Sequence, residues 1–203
     1  MRVKLVDPSA FTPPYDRALA GALAAAGAEV ELITSEFLYG PVPEAEGYEV
    51  SECFYRRTAE RGLNARGRLP LKLVEHIPDM WRLRGRLDGD VTHYQWLTVP
   101  ALDHLLIPRR GPKVMTAHYI ASPQPKWREL TTAQRTFDSM DAVIAHSENG
   151  ARRLQELIGL PPERIRVIPH GAFDYLTRLP DEELLPIELD GAKDPVILFF
   201  GLM

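Results

Sequence analysis

Four of the six histidines in this 203-residue sequence close short apolar runs: His93 in DVTHYQW, His118 in KVMTAH, His146 in DAVIAHS and His170 in RVIPHG. An imidazole near neutral pH can accept or donate a proton, so histidines gathered at one edge of a fold suit general acid–base work or the positioning of hydroxyls. Each alone fits a residue that merely ends a strand. Their crowding carries the information. Ser147 follows His146 and leads ENGARRL, the pattern of a capped helix start with free amides able to meet a phosphate or carboxylate.

Other chemistries lack their residues. No H-x-H, H-E-x-x-H or facing carboxylate pattern surrounds the histidines, so no metal is expected. Asp88-Gly89-Asp90 has a metal-holding D-x-D spacing, but it precedes the run starting at Val91 and reads as a turn. DPSAFTPPYDRAL stands where a dinucleotide fingerprint would follow the first strand. Neither a G-x-S-x-G elbow nor a phosphate-binding G-x-x-x-x-G-K-[ST] loop occurs.

The elements that must position these residues alternate. Strands are expected at Val3–Val6, 29–33, 48–55, 90–96, 112–118, 141–147 and 164–171. Leu19, Ala22, Leu23 and Ala26 have helical spacing and stop at Gly27; further helices are expected over 99–107, 126–139 and 148–158. Leu69, Leu73, Ile77, Met80 and Trp81 suggest another helix, kinked or broken at Pro78. Before it runs a polar stretch carrying Arg56, Arg57, Arg61, Arg66 and Arg68, expected as a solvated loop rather than as a contact for an anionic acceptor or membrane surface. Alternation of this kind predicts an α/β fold: a Rossmann-like three-layer domain with a mostly parallel sheet. In such sheets ligands sit at the carboxyl ends of the strands. Those ends carry Asp7, Ser35, His93 to Trp96, Thr116 to Tyr119, His146-Ser147 and His170-Gly171.

The bulk numbers are those of a soluble globular chain. Net charge is −4, which gives no basic surplus for nucleic acid. The single cysteine, Cys53, excludes an internal disulfide and fits a reducing, cytoplasmic compartment. No run approaches the ~18 apolar residues of a membrane helix.

Taken in order, DVTHYQW, KVMTAH, DAVIAHSENGARRL, ERIRVIPHGAFD and PVILFFGLM resemble the amino-terminal half of family-4 retaining glycosyltransferases of the GT-B fold. The resemblance implies two Rossmann-like domains, the first for the acceptor and the second for the nucleotide-sugar donor. It places His118 at the reaction centre, with His93, Gln95, Tyr119 and Arg17 toward the acceptor. Ser147, Glu148, His170, Gly171 and Asp174 fall on the donor side or hinge. Two departures stand out: Pro13-Pro14-Tyr15 replaces the family's Gly-Gly pair, and Tyr119 replaces an aspartate after the histidine.

The domain plan that follows is an acceptor-side domain over 1–171, a linker or crossing segment over 172–194, and the first strand of a donor domain over 195–203. The implied substrates are a nucleotide-diphosphate sugar and a hydroxyl acceptor, with no metal and no other cofactor, and the chain alone is expected to be inactive. An exposed final strand, Val196–Phe200, would promote association. Two alternatives remain open at this point: a free-standing sugar- or protein-binding module, and half of a GT-B-fold sugar-nucleotide epimerase.

Overall fold

The computed structural model describes residues 1–61, 68–122 and 124–172. The described residues belong to one compact unit. Arg66, Asp174, the expected 172–194 linker beyond Ala172 and the expected strand at 195–203 lie outside the described residues.

Among the described residues, seven strands form one sheet: β1 (Arg2–Asp7), β2 (Glu29–Ser35), β3 (Glu49–Phe54), β4 (Val91–Tyr94), β5 (Lys113–Thr116), β6 (Ala142–Ala145) and β7 (Ile165–Val167). Their order is β3-β2-β1-β4-β5-β6-β7, and every pairing is parallel. Each strand falls where the apolar runs predict it, and the class is the expected Rossmann-like α/β. The chain builds outward on one side of β1, then crosses back and builds outward on the other. That reversal between β1 and β4 leaves a crevice at their carboxyl ends.

Alternation along β1 feeds both faces of the sheet. Val3 and Leu5 join Val30, Leu32 and Ala20 on one face, where α1 (Pro13–Ala25) supplies Leu19 and Leu23. Val6 joins Ile33, Tyr94, Met80, Phe137 and Val143 on the other. Full burial of such side chains stabilises by roughly 1.5–3 kcal/mol each. The helix α1 begins earlier than its apolar spacing suggests, because Pro13 and Pro14 occupy the first turn, where a missing N–H costs nothing.

Two expectations are corrected between β3 and β4. The arginine-rich stretch contains a short helix, α2 (Arg56–Glu60), instead of being loop throughout. The next helix, α3 (Arg68–Leu83), continues past Pro78, so of the expected kink or break the break does not occur. Pro78 lies on the outer side, so the carbonyl that loses its partner there faces water. Of the five apolar residues that suggested this helix, only Met80 is buried; Leu69, Leu73, Ile77 and Trp81 are exposed. Polar anchors set the rotation instead. Asp79 accepts the Tyr55 N–H at 2.9 Å, and Glu75 accepts from the Arg57 and Thr58 amides at 3.0 Å each. His76 bridges the Tyr55 hydroxyl, 2.6 Å from its Nδ1, and the carboxylate of Asp103 in α4 (Pro100–Leu106). These residues fall on one side of the helix at i, i+1, i+4 and drag Met80 and Leu83 inward with them.

Two further helices, α5 (Trp127–Asp138) and α6 (Glu148–Arg153), complete the layers, and α6 continues as a wider turn over Leu154–Ile158. No helix among the described residues is long and apolar enough to cross a membrane.

Candidate active site

The crevice between β1 and β4 is floored by a chain of hydrogen bonds. Past the end of β4, Gln95 is fully buried and accepts from His118 Nε2–H at 2.9 Å. Its amide donates to His93 Nε2 at 3.1 Å, and the Thr116 hydroxyl donates to the same nitrogen at 2.8 Å. Two donors converging on one nitrogen require a neutral His93 with its proton on Nδ1. Burial acts the same way, depressing His93 to about 4. His118 is likewise lowered to about 4, first by burial and then by the neighbouring His146, His170 and His93. Near neutral pH it is therefore an uncharged imidazole. Its Nε2–H is spent on Gln95, and its Nδ1 has no hydrogen-bond partner among the described residues.

The rings around it form a cage. Trp96 stacks on His118, with centroids 4.7 Å apart and planes 10° from parallel. Trp96 is held by its indole N–H, which donates to Thr12 Oγ1 at 3.0 Å, and the Thr12 side chain makes no cap hydrogen bond to α1. Tyr15 from the first turn of α1 lies 5.1 Å from His118, 5.5 Å from His146 and 4.5 Å from His170. His146 donates through Nδ1 to the Ile168 carbonyl at 3.0 Å, which leaves its buried Nε2 without a partner among the described residues. Two unpartnered nitrogens and a phenol ring thus share one small space, an arrangement suited to hydroxyl-rich ligands.

The loop carrying Phe11 to Tyr15 over this space is fixed from below. Asp7 at the end of β1 accepts from the amides of Ser9 at 3.2 Å and Phe11 at 2.6 Å. Its carboxylate also meets Asp16, and both residues are almost wholly buried. Burial and the adjacent Asp7 charge push Asp16 up to about 10, so Asp16 enters neutral solution protonated and hydrogen-bonded to Asp7.

The structure brings together His118, His93, Gln95 and His170 of the residues singled out from sequence. Tyr119 sits at the rim with its hydroxyl 2.7 Å from Glu129. Ser147 caps α6 by accepting the Gly150 amide at 3.1 Å, and Glu148 and Gly171 are exposed nearby in the chain. Arg17 is turned elsewhere: it donates to the Pro43 carbonyl at 2.7 Å and faces Glu52 on β3. Sequence reasoning gave no role to Tyr15 or Asp16, and it collected Asp7 and Trp96 at strand ends without assigning them one. The one signal for Asp7 was its position at a strand end; Tyr15 had none beyond replacing a glycine pair.

Two cavities flank Phe11. One of about 340 Å³ is bounded by Ser9, Ser35, Glu36, Tyr55 and Lys72. Another of about 520 Å³ opens at His118 and Gln95 and runs between α4 and α5.

The model of Glycosyltransferase Family 4 matches residues 17–172, a span that holds the whole histidine cluster. The chain belongs to this family. A curated relative, D-inositol 3-phosphate glycosyltransferase from Nocardia farcinica (strain IFM 10152), is 30% identical over 149 residues, covering 66% of this chain and 33% of its own length. Among solved structures, sucrose-phosphate synthase from Thermosynechococcus elongatus superposes with a TM-score of 0.58 at 16% identity, over 85% of this chain and 48% of that one. UDP-GlcNAc 2-epimerase from Methanocaldococcus jannaschii gives 0.55 at 11% identity, over 82% and 45%. At such identities the two structures show a shared fold alone. The family-4 domain spans a third of the curated relative's length and under half of either structure.

Proposed function

We propose that this family-4 domain forms the acceptor-side wall of a retaining glycosyltransferase. In that reaction the bond from the anomeric carbon to the diphosphate oxygen breaks. A bond from the same carbon to an acceptor hydroxyl oxygen forms on the same face. The observation that carries the proposal is His118, a neutral imidazole fixed by Gln95 and Trp96 with Nδ1 left to accept a hydrogen bond from a hydroxyl. Positioning of that kind lowers a barrier by holding the reacting oxygen near its target. His93, Tyr119 and Gln95 belong to the acceptor side of the proposal. Ser147, Glu148, His170, Gly171 and Asp174 belong to its donor side and hinge. The acceptor is a small hydroxyl compound, and the inositol phosphate in the curated relative's name is the first polar candidate to assay.

The proposal includes a cytoplasmic enzyme that uses a nucleotide-diphosphate sugar without a metal ion, and a 203-residue chain that does not turn over by itself. Support for the last point is the shared length, since the chain matches under half of either whole GT-B chain compared above.

The test uses the longest open reading frame containing this chain, assayed for nucleoside diphosphate release from a panel of nucleotide sugars. His118→Ala is expected to lower turnover by ~10²-fold or more. Proton NMR of the product should show the anomeric configuration of the donor. Interconversion of the nucleotide sugar with no acceptor present would mark an epimerase and overturn the proposal. Unchanged turnover in His118→Ala would remove that residue from the reaction centre.

A further inference from the structure

The 520 Å³ cavity beside His118 differs in character from the cage above it. Its walls are Phe11, Trp96, Leu97, Met115, Ala133 and Phe137, and it opens at the polar pair His118 and Gln95. Its size lies within the roughly 300–1,000 Å³ of small-molecule sites. A polyol seated there would lose water from each hydroxyl and regain few hydrogen bonds, at a cost of ~1–3 kcal/mol per unpaired group. Glu129 at the rim is already engaged by Tyr119, the Ser122 amide and the Ser122 hydroxyl. Arg128, Thr132 and Thr136 of α5 also line it, and Thr136 Oγ1, on a residue 3% exposed, has no hydrogen-bond partner among the described residues.

From this lining and its opening we infer that the cavity takes the apolar body of the acceptor, whose hydroxyl stays at the mouth against His118. The inference rests on the proposed transferase function and narrows its substrate class to a hydroxyl compound with an aromatic or alkyl body. The wall explains the selectivity. Apolar atoms against Phe11, Leu97, Met115 and Phe137 release water, whereas a polar group set against those four side chains gains no hydrogen bond there. The mouth explains the orientation. His118 and Gln95 line the opening, so a hydroxyl on such a body meets polar side chains there and its apolar part does not.

Isothermal titration calorimetry on the 203-residue chain tests the inference without any transfer step. The probes are 4-phenylphenol, n-octyl β-D-glucoside below its micelle concentration, and myo-inositol with its monophosphate. At least one apolar probe should bind at a single site, ten-fold or more tighter than the inositols, with a negative heat-capacity change. Binding by 4-phenylphenol assigns an aromatic body, and binding by the glucoside an alkyl one. Ala133→Leu, which fills the wall, should weaken that binding at least ten-fold, and Thr136→Val should leave it unchanged or tighter, with circular dichroism confirming that each variant folds. Tighter binding of inositol phosphate, no saturable binding of either apolar probe, or indifference to Ala133→Leu would each overturn the inference. An enzyme that transfers no sugar while the chain still binds an apolar probe would sink the transferase proposal and leave the cavity assignment standing.

Discussion

Proton placement at a few side chains decides how this domain responds to pH. His93 and His118 have folded values near 4, below the ordinary histidine value of 6.5. Between about pH 4 and 6.5 the unfolded chain therefore takes up protons that these two refuse in the fold, and stability rises with pH. For the buried His93 alone the difference amounts to about 3 kcal/mol. Asp16 acts with the opposite sign. It holds its proton up to about 10 in the fold and releases it near 3.8 when unfolded, so it contributes most in acid and loses that contribution as pH rises. Two histidines outweigh one carboxyl below pH 6.5, and above it only the carboxyl is left. Among these three groups, urea midpoints should peak near pH 6.5. Asp16→Asn keeps a donor for Asp7 and should flatten the alkaline fall. Asp7→Asn, which loses the charged acceptor of the loop amides, should cost roughly 1.5–3 kcal/mol. An alkaline limb unchanged in Asp16→Asn would reject the shared proton. The sequence showed His118 because a strand end is visible as the end of an apolar run. It hid the Asp7–Asp16 pair, since the eight residues between them, three of them prolines, give no period from which to infer that two carboxyls meet.

At the scale of an element, α3 separates what a pattern reveals from what a partner decides. Apolar spacing located the helix, and its rotation came from Glu75, His76 and Asp79, whose partners Tyr55, Thr58 and Asp103 lie far off in sequence. Residues 80 and 81 are only 100° apart on the helix, so periodicity alone puts both at the edge of the same stripe. The structure buries Met80 at 1% exposure and leaves Trp81 at 64%. Met80→Ala should cost about 2–5 kcal/mol in chemical denaturation. Ile77→Ser, at an exposed site, should stay within roughly 0.5 kcal/mol of the parent. Equal effects from the two would mean that α3 is rotated differently in solution. The start of α1 makes the same point in reverse: Pro13-Pro14 resembles loop chemistry yet sits in a first turn, and it thereby delivers Tyr15 to the histidines.

The molecule as a whole was the most legible level, because alternating strands and helices leave few ways to close a parallel sheet. Seven of the eight expected strands fall among the described residues and are found there, and the carboxyl-end rule collected His93, Gln95, His118 and His170 before any geometry was known. What no local pattern contains is the strand order. The apolar composition of β1 is compatible with an edge or a centre, and only the crossing back to β4 makes it central. Gly89 records how tightly that crossing closes: a methyl group there would lie 3.0 Å from the Lys4 side chain and 3.1 Å from the Arg2 carbonyl. Gly89→Ala should lower thermal stability by several degrees in a melting experiment. A melting point equal to the parent's would show that the turn has room to give.

The central place of β1 has a bearing on synthesis. Its partner β2 follows within thirty-five residues, but its other flank waits for β4, which pairs Val3 with Val91 and Val6 with Tyr94. Translation at roughly 5–20 residues per second leaves that flank open for several seconds. During the interval Val3 to Val6 present unpaired backbone beside an apolar face, the template on which neighbouring nascent chains add strands. Polysomes crowded with this message are where a holdase chaperone matters most to its yield.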